Sequence, residues 1–290
     1  MTEQQLFDLY PELALMPRAG LKEDLWRQLE QMSERTKFMV ATAYKRAGFQ
    51  TVTPYMTVPK IATAIEFLEK AFGGVVTHQS TGSEGGLHTE LRLGESMLML
   101  GQAQEKWPAM PLALHYFVPD VDAAYERAMA AGAKLLMGDM GKPGDREYGE
   151  RSAFVEDPSG NYWYIAKRLG PDQHVHQPLM IYLHPKSAAQ LIDFMTAVFG
   201  AEEHGRYADP SGRVMHAAVK LGDSMVEMGE GAESKPQSMY LYVEDPDAIH
   251  KKAIAAGAKS LWEPADHGYG ELVAGFVDPQ GNNWFVARVI

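Results

Sequence analysis

The chain of 290 residues is long enough for two domains of about 120 residues each and an extension, and its 46% hydrophobic content is typical of a folded protein. The absence of cysteine excludes disulfides, a thiolate nucleophile and cysteine-ligated zinc. The net charge of -11 argues against nucleic acid or a membrane surface as the partner. No apolar run approaches the roughly 20 residues of a membrane span, and the N-terminus lacks the features of a signal peptide, so we expect a cytoplasmic protein.

Residues 1–50 are predicted to form an N-terminal helical extension. From Leu21 to Gly48, apolar residues recur every three or four positions, which indicates one amphipathic helix about 40 Å long. One interpretation is a strut that packs across the sheets of its own chain. The alternative is a partner helix through which two copies form a homodimer.

The remainder of the chain is an internal repeat of two similar sequences. The spacing between matching positions changes by only a few residues along the repeat. Such a change is what loop insertions would produce, so the chain is predicted to hold two tandem modules, residues 51–170 and residues 171–290. The matching segments are Leu93–Met97 with Leu221–Met225, Ala130–Lys134 with Ala255–Lys259, Tyr148–Glu150 with Tyr269–Glu271, and Phe154–Ala166 with Phe276–Ala287.

Within each module, a cycle of one strand, one helix and three strands occurs twice. In the first cycle, a strand at residues 53–58 leads into a helix that ends at Gly73, and three strands follow before the cycle restarts near Leu112. Units of this size cannot close a core alone, so their sheets must pair, with the helices covering them. We predict an α+β fold of four βαβββ units, and leave open whether the sheets pair within or between modules.

Each module closes on an Asp-Pro-x-Gly turn followed by a strand rich in aromatic residues. Proline presets φ in such a turn, and glycine takes the position with positive φ. These lines, Asp157–Trp163 and Asp278–Trp284, together with the Leu-Gly-(Glu/Asp)-Ser-Met hairpins and the helix ends at Gly132 and Gly257, resemble the vicinal-oxygen-chelate superfamily. That superfamily contains glyoxalase I, bleomycin-resistance proteins and extradiol dioxygenases. The resemblance covers residues 52–289 and implies curved mixed sheets that form ligand-binding cups.

In the metal-dependent members of that superfamily, His, Glu or Gln side chains point into the cup from the first and last strands of each paired sheet. The resemblance places these positions in this chain at Thr53, Met99, Ala113, Tyr164, Met180, Glu227, Ser238 and Phe285. Only Glu227 is a good ligand, and one carboxylate cannot hold a catalytic divalent metal. A shift of one or two residues would bring His115 or His184 inward, but neither half would assemble three ligands. We therefore expect no metal and no other cofactor.

The other cup positions are apolar, aromatic and polarisable. Such a surface suits a small apolar or aromatic molecule, although the same period of two is also typical of plain core. Arg151 could clamp a ligand carboxylate or phosphate, or pair with a neighbouring acid. The candidate ligand-binding residues are Tyr55, Met97, Met99, His115, Arg151, Tyr164, Tyr240, Tyr242 and Phe285.

Glu227 is the candidate catalytic residue. It replaces Met99 at the equivalent position of the repeat and stands between two apolar residues. A carboxylate facing an apolar cup would have a raised pKa, which suits a general base, whereas a glutamate on the other face would be a surface residue. His88 and His216 occupy equivalent positions, which favours a structural role for both.

Three functions remain open from the sequence. The first is a metal-independent binding protein of the glyoxalase/bleomycin-resistance type, whose partner is a small apolar or aromatic molecule. The second is a metal-dependent lyase or isomerase of the glyoxalase type that uses Glu227 and a histidine, so whether the protein is an enzyme is undecided. The third is an interaction role centred on the N-terminal helix.

Overall fold

The computed structural model describes residues 44–82, 85–170 and 177–290. Most of the predicted N-terminal helix lies outside these ranges, but its last residues, 44–48, form turns and not a helix, so the helix prediction is wrong there. Lys45–Ile290 form one unit, which contains all four βαβββ units. None of the helices in the described ranges is long and apolar enough to cross a lipid bilayer.

In residues 51–82 and 85–170, the first module contains nine strands, two α-helices and a 3-10 helix at Gly138–Gly141. Its strands and helices are, in chain order, β1 (Val52–Val58), α1 (Ile61–Phe72), β2 (Val75–Thr81), β3 (Leu87–Leu93), β4 (Ser96–Gln102), β5 (Ala113–Phe117), α2 (Val121–Ala130), β6 (Lys134–Leu135), β7 (Gly144–Arg146), β8 (Glu150–Glu156) and β9 (Tyr162–Arg168).

The second module repeats this order without the small insertions. Its elements are β10 (Leu179–Leu183), α3 (Ala188–Phe199), β11 (Glu202–Ala208), β12 (Val214–Leu221), β13 (Ser224–Met228), β14 (Ser238–Tyr242), α4 (Pro246–Ala255), β15 (Lys259–Asp266), β16 (Glu271–Val277) and β17 (Asn283–Val289). The predicted α+β fold of tandem βαβββ units is confirmed.

The strands form two mixed sheets, and each sheet takes one unit from each module. The first sheet has the order β15-β16-β17-β14-β1-β4-β3-β2, and the second has the order β11-β12-β13-β10-β5-β9-β8-β6, with β7 paired to β8. The modules meet through two antiparallel pairs, β1 with β14 and β5 with β10. The pairing that the sequence left open therefore occurs between modules.

The helices pack on one side of each sheet because strand residues alternate between two faces. In β1, Met56 and Val58 are fully buried on the helix side, and α1 buries Phe67 and Leu68 there. The aromatic residues of the closing strands join this core, since Phe72 of α1 contacts the ring of Trp163 at 4.7 Å. We call the face of each sheet opposite the helices its cup face.

The helix ends follow from glycine at the position with positive φ. Gly73 ends α1 with φ 68°, and its N–H donates to Glu69 O while Gly74 N–H donates to Leu68 O. Gly200 ends α3 in the same conformation, with φ 71°. Asp120 and Asp245 start α2 and α4 by accepting hydrogen bonds from backbone N–H groups three residues later.

Candidate functional site

A buried ion pair lies at the centre of the second cup face. His115 on β5 donates from Nδ1 to Glu227 Oε2 on β13 at 2.7 Å, and its Nε2 lies 3.5 Å from Glu150 Oε2 at the start of β8. His115 is 9% exposed and Glu227 is 8% exposed. The two partners are 112 residues apart and come from different modules, so the pair exists only because β5 and β10 join the modules.

The charges of the pair stabilise each other. Burial by itself would lower the pKa of His115, but the negative charge of Glu227 and the hydrogen bonds to Glu150 and Glu227 raise it to about 9. Burial would likewise raise the pKa of Glu227, but the charge of His115 lowers it below its ordinary value. The sequence-based expectation of a raised pKa for Glu227 is wrong, because its buried histidine partner could not be identified from the sequence.

The charged side chains of the second cup face pair with one another. His115 turns one ring nitrogen towards Glu227 and the other towards Glu150, so the three side chains do not converge on one point. Across the described ranges, no group of three or more His, Asp or Glu side chains could hold a metal ion. On the neighbouring strands, Tyr164 stands opposite His115 and Tyr182 stands opposite Glu227.

Tyrosine and histidine rings surround this ion pair. The Tyr164 hydroxyl lies 3.1 Å from His184 Nε2, and burial lowers the pKa of His184 to about 4, so that this ring is neutral near pH 7. Tyr182 packs against Tyr164, with their ring centroids 5.2 Å apart. Burial and the charge of Glu227 hold the pKa of Tyr182 well above its ordinary value, so this phenol is a hydrogen-bond donor and not a base.

The first cup face carries a different cluster of charges. The Arg46 guanidinium donates two hydrogen bonds to the Glu90 carboxylate, at 2.5 and 2.7 Å, and its Nε lies 3.8 Å from Glu271 Oε1. Tyr240 and Tyr242 also donate to Glu271, the second at 2.7 Å. Glu90 belongs to β3 and Glu271 to β16, so Arg46 links strands from both modules.

An arc of four aromatic rings lies beside this cluster. Phe285 contacts Tyr55 at 5.4 Å and Trp262 at 5.5 Å, and Trp262 contacts Trp107 at 5.6 Å. The Trp262 ring lies over the backbone of Gly275, where any larger residue would clash with it, since an added Cβ would meet the ring at 2.8 Å. The buried Nε1 of Trp262 has no hydrogen-bond partner.

One arrangement is common to both faces. Tyr55 lies over Gly101 and stacks on His88 at 5.8 Å, and at the equivalent positions Tyr182 lies over Gly229 and contacts His216 at 6.0 Å. A Cβ at either glycine would come within 2.8 Å of the tyrosine hydroxyl. The repeated glycine is therefore what gives the tyrosine ring its place.

The structure distributes the sequence-predicted residues over both faces. Tyr55, Met97 and Met99 share the first cup face with Tyr240, Tyr242 and Phe285, whereas His115 and Tyr164 lie with Glu227 on the second. Arg151 is not in either group. Its guanidinium binds Asp122 at 2.6 and 2.7 Å and Asp145 at 2.8 Å, on the helix side of its sheet.

Several residues of these faces were not predicted as site residues. They are Arg46, Glu90, Trp107, Glu150, Tyr182, Trp262 and Glu271. A usable signal existed for two of them, because the Tyr-Gly-Glu line ends on Glu150 in one module and on Glu271 in the other. No comparable signal existed for Arg46, which precedes the repeat.

Three comparisons with known proteins agree with this architecture. The model of the Glyoxalase/Bleomycin resistance protein/Dioxygenase superfamily matches residues 48–165 and 180–286. "Putative glyoxylase CFP32" of Mycobacterium bovis is 26% identical over 255 residues, which is 82% of this chain and 95% of that protein. An uncharacterized protein of Mycobacterium tuberculosis strain H37Rv is 30% identical over 128 residues, which is 40% of this chain and 73% of that protein.

Among solved structures, glyoxalase I from Zea mays superposes with a TM-score of 0.63 at 18% identity, covering 81% of this chain and 92% of that chain. At this identity the likeness shows a shared fold and says nothing of a shared activity. The superfamily model, in contrast, matches most of the chain and both modules. The chain therefore belongs to the Glyoxalase/Bleomycin resistance protein/Dioxygenase superfamily.

Proposed function

We propose that this protein binds a small aromatic molecule on its first cup face without the help of a metal. The observation that carries the proposal is the arc of Tyr55, Trp107, Trp262 and Phe285, with the unpartnered N–H of Trp262 beside it. Ring pairs of this kind contribute about 0.5–1.5 kcal/mol each beyond the area they bury.

A ligand acceptor that reaches the buried Trp262 N–H would add to binding in the arc. A buried donor without a partner costs about 1–3 kcal/mol, and a ligand oxygen or nitrogen that accepts from it would recover much of that energy. Flat ligands that combine an aromatic ring with one acceptor are therefore expected to bind better than pure hydrocarbons of the same size.

The proposal can be tested with N-phenyl-1-naphthylamine, a neutral aromatic fluorophore. We expect saturable binding to the wild type, about a tenfold loss in Trp262→Ala, and a smaller loss in Trp262→Phe, which keeps a ring but lacks the N–H. Tyr207→Ala is the matched control, because Tyr207 is 67% exposed on β11, an edge strand of the other sheet. Equal binding by the Trp262→Ala variant and the wild type would contradict the proposal.

A second candidate function, proton transfer, is favoured by the 2.7 Å contact between His115 and Glu227. A buried imidazolium next to two carboxylates can give a proton to a substrate oxygen, while Glu227 can take one from carbon. We would follow hydrogen–deuterium exchange of α-hydroxy ketones by NMR. If the wild type catalyses this exchange and Glu227→Gln slows it about a hundredfold or more, an isomerase is supported. If exchange by the wild type is no faster than exchange by Glu227→Gln, an isomerase is excluded.

A further inference from the structure

The first cup face contains two buried carboxylates and a cation supplied by the chain itself. The side chains of Glu90 and Glu271 are only 4% and 5% exposed, whereas the side chain of Arg46 is 37% exposed. The guanidinium therefore lies over the carboxylates on the side of the solvent. Arg46 lies in the irregular segment of residues 44–50, outside any strand or helix.

The groups around these carboxylates fix the positions of both, and they keep Glu90 ionised. Burial would raise the pKa of Glu90, but the nearby His88 ring and the two hydrogen bonds from Arg46 lower it to about 2. Glu271 accepts from the hydroxyls of Tyr240 and Tyr242. Because the two acids outnumber the one guanidinium, this region favours a positively charged group.

A second observation points to a missing partner at the same place. Thr53 is fully buried, yet its hydroxyl has no hydrogen-bond partner. In the register it stands opposite Tyr240, and by alternation it shares the face of Tyr55. A buried hydroxyl without a partner is rare in folded proteins and calls for an explanation, and a bound group that hydrogen-bonds to it on this face would supply one.

The charged cluster and the aromatic arc are continuous. Tyr55 contacts Phe285 of the arc at 5.4 Å and stacks on His88 at 5.8 Å, and His88 Nε2 lies 3.6 Å from Glu90 Oε1. A molecule with a ring in the arc can therefore place a short substituent at the carboxylates.

We infer that the ligand of the first cup face is an aromatic organic cation, whose amidine, guanidine or amine takes the place of the Arg46 guanidinium between Glu90 and Glu271. The inference rests on the proposed function for the aromatic ring and adds the cationic group. Arg46 competes with the ligand, because the same two carboxylates can bind either the Arg46 guanidinium or the cationic group of the ligand.

The test compares benzamidine with benzamide, which has nearly the same shape without the charge. In Arg46→Ala, we expect calorimetry to show benzamidine binding about tenfold or more tighter than benzamide, and tighter than benzamidine binding to the wild type. In Arg46→Ala/Glu90→Gln, the preference for the charged compound is expected to fall severalfold, because only Glu271 remains to pair with the cation. Equal affinities for the two compounds in Arg46→Ala would overturn the inference.

A second variant serves if Arg46→Ala does not fold. Arg46→Lys keeps a positive charge but loses the paired hydrogen bonds, so benzamidine is expected to displace it and to raise its unfolding temperature more than benzamide does. Equal shifts by the two compounds would again overturn the inference. In that case, retained binding of N-phenyl-1-naphthylamine that depends on Trp262 leaves the proposed aromatic site intact, whereas its loss would remove both proposals.

Discussion

At the scale of single residues, the two cup faces differ most at one pair of positions. His115 and Glu227 form the ion pair of the second face, and the equivalent residues of the first face are Tyr240 and Met99. Both positions differ between the two faces, which fits the rule that one member of a buried ion pair without the other would leave an unpaired buried charge. Each member of the pair is therefore stable in this buried position only when the other is present.

Removing the cation of this pair should destabilise the protein. In His115→Gln, Glu227 stays buried without its counter-charge, and we expect a loss of about 3 kcal/mol in the free energy of unfolding at neutral pH. In His115→Gln/Glu227→Gln, two amides can bond each other, so the loss should be smaller than in the single variant. Urea unfolding measures both, and a larger loss in the double variant would contradict the assignment.

The same pair predicts a pH dependence of known sign. The folded pKa of His115, about 9, lies above the ordinary value of 6.5, so its contribution to stability is fully present below pH 6.5 and is lost as the pH rises through about 9. Because the pKa of Glu227 is lowered, its contribution is lost only as the pH falls below the ordinary value of 4.5. Urea unfolding at several pH values from 6.5 to about 9 should show a decline in the free energy of unfolding of the wild type. This decline should be absent in His115→Gln.

At the scale of elements, the Asp-Pro-x-Gly turns act as anchors for the last strand. Asp157 accepts from the backbone N–H of Ser159 and Asn161, from Asn161 Nδ2 and from Trp163 Nε1, at 2.7 to 3.0 Å. Asp278 repeats all four bonds. The side chain thus fixes the turn and orients a fully buried tryptophan.

Asp157→Asn should therefore destabilise the protein by about 2 kcal/mol, because an amide nitrogen would replace the oxygen that accepts from Asn161 and Trp163. The chain contains its own control in Asp209, which starts an identical Asp-Pro-Ser-Gly turn but has no tryptophan after it. Asp209→Asn should cost much less than Asp157→Asn, since this turn lies near the surface. Similar losses in the two variants would show that the turn alone matters.

The glycine beneath Tyr55 offers a separate test of the first cup face. In Gly101→Ala, the new methyl group would push the end of the Tyr55 ring, a side chain that can turn aside, so the stability should change by less than about 1 kcal/mol. Binding of N-phenyl-1-naphthylamine should nevertheless weaken severalfold, because Tyr55 belongs to the arc. Gly229→Ala, its counterpart on the second face, should cost more stability, because its methyl group would also meet the backbone oxygen of Met215 at 2.7 Å, but it should leave this binding unchanged.

The sequence predicted the elements well and their partners poorly. Alternation along β1 and β4 identified Tyr55, Met97 and Met99 as residues of one face, because the period of a strand is a local property. The contact of Arg46 with Glu271 and that of His115 with Glu227 depend on which strands pair across the modules. No local pattern encodes that choice, so these contacts were beyond prediction from the sequence.

At the scale of the whole molecule, different forces hold the units together within and between modules. Within each module, the two helices pack on each other, α1 on α2 and α3 on α4. Between modules, the strands pair, and β5 and β14 at these junctions are buried along their whole length. The alternation of buried and exposed strand residues is the same whether the sheets pair within a module or between modules. The duplication was therefore predictable from the sequence, but the pairing of units from different modules was not.

This arrangement predicts that the modules stay together when the chain between them is cut. Separated modules would expose β1, β5, β10 and β14 as unpaired edges with apolar side chains, which is unfavourable. We would insert a protease site between Gly170 and Gln177, cleave the folded protein and analyse it by size-exclusion chromatography and mass spectrometry. Both fragments are expected in one peak with the mass of the uncut protein.

Cleavage should still lower the stability, because the connection holds the modules at an effective concentration of about 1 mM. At about 10 µM protein, its loss corresponds to roughly 3 kcal/mol, and the urea midpoint of the cut protein should rise with concentration while that of the uncut protein does not. An uncleaved sample carrying the same insertion is the control. Fragments that separate without denaturant would mean that each module is stable alone and that the shared sheets contribute little to the fold.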